Sequence, residues 1–139
     1  MTYISRTKLV EVDEDTAWAL LRDHQYGVGR IAFGGPPPEL LPVNYLLDGH
    51  AIIIQTGEGQ LHDTAERAAQ VTFEIDHVQA AGYAERASGW SVVAKGPLTV
   101  VADGSLKAYL RLGHLKPAPG GFKPYFVRLD VDRITGRRF

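Results

Sequence analysis

Two apolar runs, Leu40–Leu47 and His50–Thr56, are separated only by Asp48-Gly49. A two-residue connection of this kind forces the chain straight back on itself, because both central positions of the favoured turn take positive φ, which Asp and Gly tolerate. The two runs must therefore pair as antiparallel neighbours. Upstream, Val28–Phe33 is strand-like, and Gly34-Gly35-Pro36-Pro37-Pro38 breaks it before Leu40. Three antiparallel strands thus follow in sequence.

The rest of the chain extends this sheet. In Val71–Asp76, Val71, Phe73 and Ile75 alternate with Thr72, Glu74 and Asp76, the pattern of a strand with one dry and one wet face. Trp90–Ala102 reads as a long strand that bends or bulges at Gly96-Pro97, where an N–H is missing. Tyr125–Val131 reads as the last strand, and His77–Gly89 and His114–Pro124 as loops. Helices are expected from an Asp13 or Asp15 cap to about Gln25, burying Ala17, Leu20 and Leu21 beside Trp18. Two more are expected over Gly59–Ala69, with Leu61, Ala65, Ala68 and Ala69 on one face and Asp63 set to pair with Arg67, and over Ser105–Leu112. Six or seven strands joined by hairpins, with short helices, predict an antiparallel β-barrel with peripheral helices rather than a parallel βαβ fold.

Composition narrows the chemistry. At 139 residues and 45% hydrophobic content, residues 1–139 read as one domain with its own core. The absence of cysteine excludes disulfides, thiolate catalysis, iron–sulfur clusters and Cys-based zinc sites. Fifteen Lys+Arg against sixteen Asp+Glu provide no global field for nucleic acid or anionic lipid. Met1–Asp15 lacks the apolar core of a signal peptide and no apolar run approaches membrane-spanning length, so a soluble cytoplasmic protein is expected.

Candidate sites are few. Gln55-Thr56-Gly57-Glu58-Gly59-Gln60-Leu61 runs from strand through a Gly-containing turn into a helix, which serves either an anion site or a plain tight turn. It lacks the third glycine and the βαβ setting of a dinucleotide fingerprint. No two of the five histidines have metal-ligand spacing, so no metal is expected. Ser91 lacks the second glycine of a nucleophile elbow, and Arg133, Arg137 and Arg138 read as a basic terminus. Asn44 in an apolar strand is either satisfied in the core or faces a ligand, and Trp90 is either core or a ring platform.

Val28-Gly29-Arg30-Ile31-Ala32, Pro42-Val43-Asn44-Tyr45, Phe73-Glu74-Ile75-Asp76, Gly89-Trp90-Ser91-Val92 and Ile134-Thr135-Gly136-Arg137-Arg138 stand in this order across nearly the whole chain. Together they resemble the pyridoxamine 5′-phosphate oxidase-like flavoproteins, in particular small bacterial members related to nitroimidazole-resistance proteins. The resemblance implies an antiparallel split β-barrel that binds FMN in a cleft between the subunits of a homodimer. It implies that Val43, Asn44 and Tyr45 line the flavin ring. Gln55 and Thr56 would reach toward the ribityl phosphate, Gly59 and Gln60 would open the phosphate-facing helix, and Trp90 and Ser91 would come from the partner subunit. Similar proteins carry an Arg before the Thr and a Lys two residues after the helix-opening Gly. Here Gln55 and Leu61 replace them, with Arg67, Arg86, Lys95 or a protonated His62 as substitutes.

The implied activity is flavin-dependent oxidoreduction of a small planar acceptor, in which the cofactor carries the chemistry and no side chain acts as acid or base. The alternative is a non-catalytic or divergent split-barrel protein that binds a deazaflavin, haem or another small aromatic molecule.

Overall fold

The computed structural model describes residues 9–57, 59–79, 88–102 and 125–139. They form eight strands and two helices in the order β1 (Val10–Val12), α1 (Glu14–Asp23), β2 (Tyr26–Phe33), β3 (Glu39–Asp48), β4 (Ala51–Thr56), α2 (Gln60–Glu66), β5 (Gln70–Gln79), β6 (Ser88–Val100), β7 (Tyr125–Asp130) and β8 (Arg133–Arg138). Every pairing is antiparallel, and β6-β5-β2-β3-β4-β7 closes on itself because β7 returns to β6. Beyond this ring, β8 pairs with β6 and β1 with β8.

Closure turns on β6. One edge pairs with β5 from Ser88 to Pro97. The other pairs with β8 from Trp90 to Lys95 and with β7 from Leu98 to Val100. The change of partner falls at Gly96-Pro97, the bend expected from the sequence. Gly96 is needed there because a Cβ would run into the carbonyl oxygen of Asp130.

Side chains alternate across the barrel wall. Ile31, Phe33, Val43, Tyr45, Ile52, Ile54, Phe73, Ile75, Val92, Leu98, Val127 and Leu129 point inward and form the main core with Ala17, Trp18, Leu20 and Leu21 of α1. Leu46, Ala51, Ile53 and Phe126 form a second buried cluster on the opposite face of β3, β4 and β7. Helix α1 begins at an Asp13 cap whose carboxylate accepts the Thr16 N–H at 2.7 Å; this bond also holds the carboxyl below its ordinary range.

Several sequence expectations require correction. Asp48 pairs with Ala51, so the hairpin turn is Gly49-His50 rather than Asp48-Gly49, and only Gly49 has positive φ. Ala51 to Ile54 are all buried, so no hydrophobic alternation could reveal the register of β4; the shift also stacks the His50 ring on Trp18 at 4.4 Å. Helix α2 stops at Glu66, and Ala68 and Ala69 do not share its buried face. Ala69 N–H bonds Thr64 O and Ala68 N–H bonds Ala65 O, a closure that puts Ala68 in the left-handed region. Along this helix His62 Nδ1 lies 3.3 Å from a Glu66 carboxylate oxygen, and the expected Asp63–Arg67 pair does not form.

His77–Gln79 and Ser88–Gly89 are strand rather than loop, because their backbones continue the β5–β6 ladder. β7 is followed by β8, so Arg133–Arg138 is paired strand and not a solvated tail. β1 had no sequence signal, being three residues long and largely exposed. The helix expected over Ser105–Leu112, the His114–Pro124 loop and Arg86 lie outside the described residues. Among the described residues no helix is long and apolar enough to cross a membrane.

The corner at Gly96 generates a test. Gly96→Ala is expected to cost about 2–3 kcal/mol through overpacking against the Asp130 backbone. Urea unfolding would measure it, and an unchanged midpoint would contradict a strand exchange that depends on close approach here.

Candidate functional site

The pleat of β3 and β4 divides the candidate residues between two faces. Val43 and Tyr45 point into the barrel and are buried, whereas Asn44 is exposed on the outer face, opposite Val28. On β4, Gln55 shares the outer side with Ile53, and Thr56 falls on the inner side. Tyr45 pairs with Ile54, so carrying the register one residue further sets Asn44 beside Gln55. The structure thus brings together the two outward amides and separates them from the side chains of Val43 and Tyr45.

Tyr45 is held by the barrel. Its ring meets Phe73 edge-on at 5.2 Å, and its hydroxyl donates to the His24 carbonyl at 2.6 Å, tying β3 to the end of α1. Burial pushes its phenol up to about 12 from an ordinary value of 10.0.

Beyond Gln55 the wall ends in an open turn. Gln55 Oε1 is buried and has no hydrogen-bond partner among the described residues. A Cβ built on Gly57 or Gly59 would meet nothing within 4 Å, so the backbone here is open to a ligand. Gly59, at φ +143°, opens α2, and Gln60 is exposed at its first position. Leu61, by contrast, is 2% exposed and belongs to the core. The position where similar proteins are expected to place a phosphate-directed Lys therefore faces the barrel.

On β6, Trp90 and Ser91 point to opposite faces. The half-buried Trp90 packs on the core at one barrel end, with ring centroids 4.6 Å from His24 and 6.3 Å from His77. Ser91 lies on the outer face opposite Asp76. Three strand spacings, about 14 Å, separate it from Asn44 within one chain.

Between them, Arg30 spans Glu74 at 3.4 Å and Asp76 at 3.6 Å. Desolvation and the neighbouring Asp76 charge raise the Glu74 carboxyl, and Arg30 opposes them. Sequence spacing of histidines alone missed one group: the ligand atoms of His62, Asp63 and Glu66 lie within 4.8 Å of one another, with both carboxylates exposed. A search for His with nearby carboxylates on one helix face would have found it.

A family model described as pyridoxamine 5′-phosphate oxidase matches residues 13–138. The uncharacterized protein Rv0080 of Mycobacterium tuberculosis is 30% identical over 141 residues, covering 96% of this chain and 88% of that protein. Among solved structures, a candidate pyridoxamine 5′-phosphate oxidase of Corynebacterium glutamicum is 29% identical with a TM-score of 0.69, covering 94% of this chain and 93% of that one. An FAD binding protein of Mycobacterium smegmatis is 25% identical with a TM-score of 0.70, covering 94% and 98%.

Burial of the Tyr45 phenol makes a pH-dependent contribution. The phenol ionises near its ordinary value in the unfolded chain and at about 12 in the folded one, so the stability it lends is complete below pH 10 and lost as pH rises through 12. Tyr45→Phe is expected to cost about 1 kcal/mol at neutral pH and to flatten this alkaline loss. Urea midpoints measured across that range check both, and an equal alkaline decline in the variant would contradict the assignment.

Proposed function

The chain belongs to the pyridoxamine 5′-phosphate oxidase family, and on that footing we propose that it is a flavin-dependent oxidoreductase. Its cofactor, FMN, lies against the outer face of β3 and β4 in a cleft completed by a second copy of the chain. The observation that carries this reading is the end of β4, where an unsatisfied buried amide oxygen on Gln55 adjoins the open backbone of Gly57 and Gly59. An orphaned buried acceptor is costly unless a ligand supplies a donor.

When bound, the flavin supplies the electron transfer. The chain's residues bind and orient it: Asn44 offers an amide at the ring edge, and Gln55, Gly59 and Gln60 approach the phosphate. Val43 and Tyr45 set the strand geometry from inside the wall. Ser91 lies three strands from Asn44, and in this reading the partner delivers it to the ring. Trp90 closes the barrel end behind it.

The apolar outer surface supports a second copy as the occupant. Tyr26, Val28, Leu40 and Val78 are 55–64% exposed on the outer face of β2, β3 and β5, around the Arg30–Glu74–Asp76 cluster. Exposed apolar patches rimmed by charge mark association surfaces, and a two-fold arrangement would face each patch with its own copy. FAD is the second cofactor reading, favoured by the Mycobacterium smegmatis relative described as binding it.

The phosphate end sets an affinity pattern. With neutral Gln55 and inward Leu61, FMN is expected to bind little more tightly than riboflavin. Gln55→Arg is expected to tighten FMN about tenfold while leaving riboflavin unchanged. Visible absorption of the purified protein, followed by fluorescence titration with riboflavin, FMN and FAD, measures this. Failure of all three to bind would overturn the flavin reading and leave a non-catalytic module.

A further inference from the structure

We propose that the outer face of β6 and β8 carries an anion site that takes a compact phosphate ester or diphosphate of mononucleotide size. Lys95, Arg133 and Arg137 line one hollow of about 480 Å³ with Ser91, Thr135 and Glu11. In register, Lys95 stands directly opposite Arg133, Val93 opposite Thr135, and Ser91 opposite Arg137. All six alternate outward, away from the core residues Val92, Ala94 and Ile134.

The Lys95–Arg133 pairing does nothing for the sheet. Like charges directly opposite across a ladder destabilise it, and an acid at either position would stabilise it instead. Among the described residues, none of the three cations forms an ion pair. Arg137 even stands opposite Glu11 across the β1–β8 ladder without bridging to it. Two guanidinium forks, an ammonium and two hydroxyls facing one hollow form the donor set that recognises phosphate oxygens.

The surroundings limit what fits. Glu74 and Asp76 on β5 lie beside Val93 and Ser91 on one flank, and Glu11 lies on the other. A polyphosphate chain crossing the sheet would meet carboxylates on both sides, and the whole chain has a formal charge of −1. A small ligand avoids them, and its hydroxyl or amino groups can donate to the flanking carboxylates. The volume is that of an ordinary small-ligand pocket. Of the lining residues only Ser91 is also a proposed flavin contact; Lys95, which the sequence offered as a substitute phosphate-directed charge, stands on β6 opposite Arg133, and neither is among the contacts proposed for the flavin.

Isothermal titration calorimetry of the full chain with pyrophosphate and with ADP at low salt tests the site. Saturable binding is expected for both, weakened at least about tenfold by Lys95→Gln with Arg133→Gln and weakened by added salt, with riboflavin binding unchanged. The double variant removes a like-charge contact, so its unfolding midpoint should equal or exceed that of the parent. Lys95→Glu, which creates an opposite-charge pair with Arg133, should stabilise the fold and abolish pyrophosphate binding. No saturable binding by the parent chain, or equal binding by the variants, would overturn the proposal. Tighter binding of a single-stranded oligonucleotide than of ADP would overturn the compact ligand. Absence of riboflavin binding would sink the flavin reading alone.

Discussion

The partner exchange along β6 holds the rest of the structure in place. A strand that pairs with β8 from Trp90 to Lys95 and with β7 from Leu98 to Val100 must bend sharply, and Gly96-Pro97 lets it do so against the Asp130 backbone. The first stretch carries β8 and β1 outward as an extension; the second closes the barrel through β7 and β4. Without that corner the sheet would stay open, with unpaired edges on β6 and β7. Closure also fixes which face of each strand meets the core.

That sidedness connects packing to chemistry. The wall of β3 buries Val43 and Tyr45 and leaves Asn44 outside, so the interior stays dry while an amide is exposed on the outer face. β6 repeats the arrangement with Trp90 inside and Ser91 outside. Core packing and exposed polar groups are thereby assigned to alternate residues of the same strands, and the outer face holds amides, an apolar patch and a row of cations.

Much of the fold was legible because its signals were local. Val71, Phe73 and Ile75 alternate, Asp13 caps a helix, and Gly96-Pro97 interrupts a strand, and each reading needs only neighbours in sequence. The strands that escaped, β1 and β8, owe their state to pairing with distant residues, Arg137 with Glu11 and Ser91 with Arg137. The Gly49-His50 turn was misplaced by one residue because β4 is buried on both faces and carries no alternation. At the candidate site, motif order singled out residues on β3, β4, α2 and β6 but could not give side-chain direction at Leu61, whose inward orientation depends on how α2 docks. The unsatisfied Gln55 oxygen and the opposed Lys95 and Arg133 are properties of tertiary structure that no spacing rule contains.

The central claim is that two copies of this barrel together hold one kind of flavin site on their outer faces. Sedimentation velocity followed at a flavin absorbance wavelength, with the protein at a slight excess over FMN, tests it most directly. Flavin absorbance is expected to travel with a species of twice the 15.2 kDa chain mass. Flavin sedimenting with the single chain, or remaining unbound while the protein sediments, would contradict it.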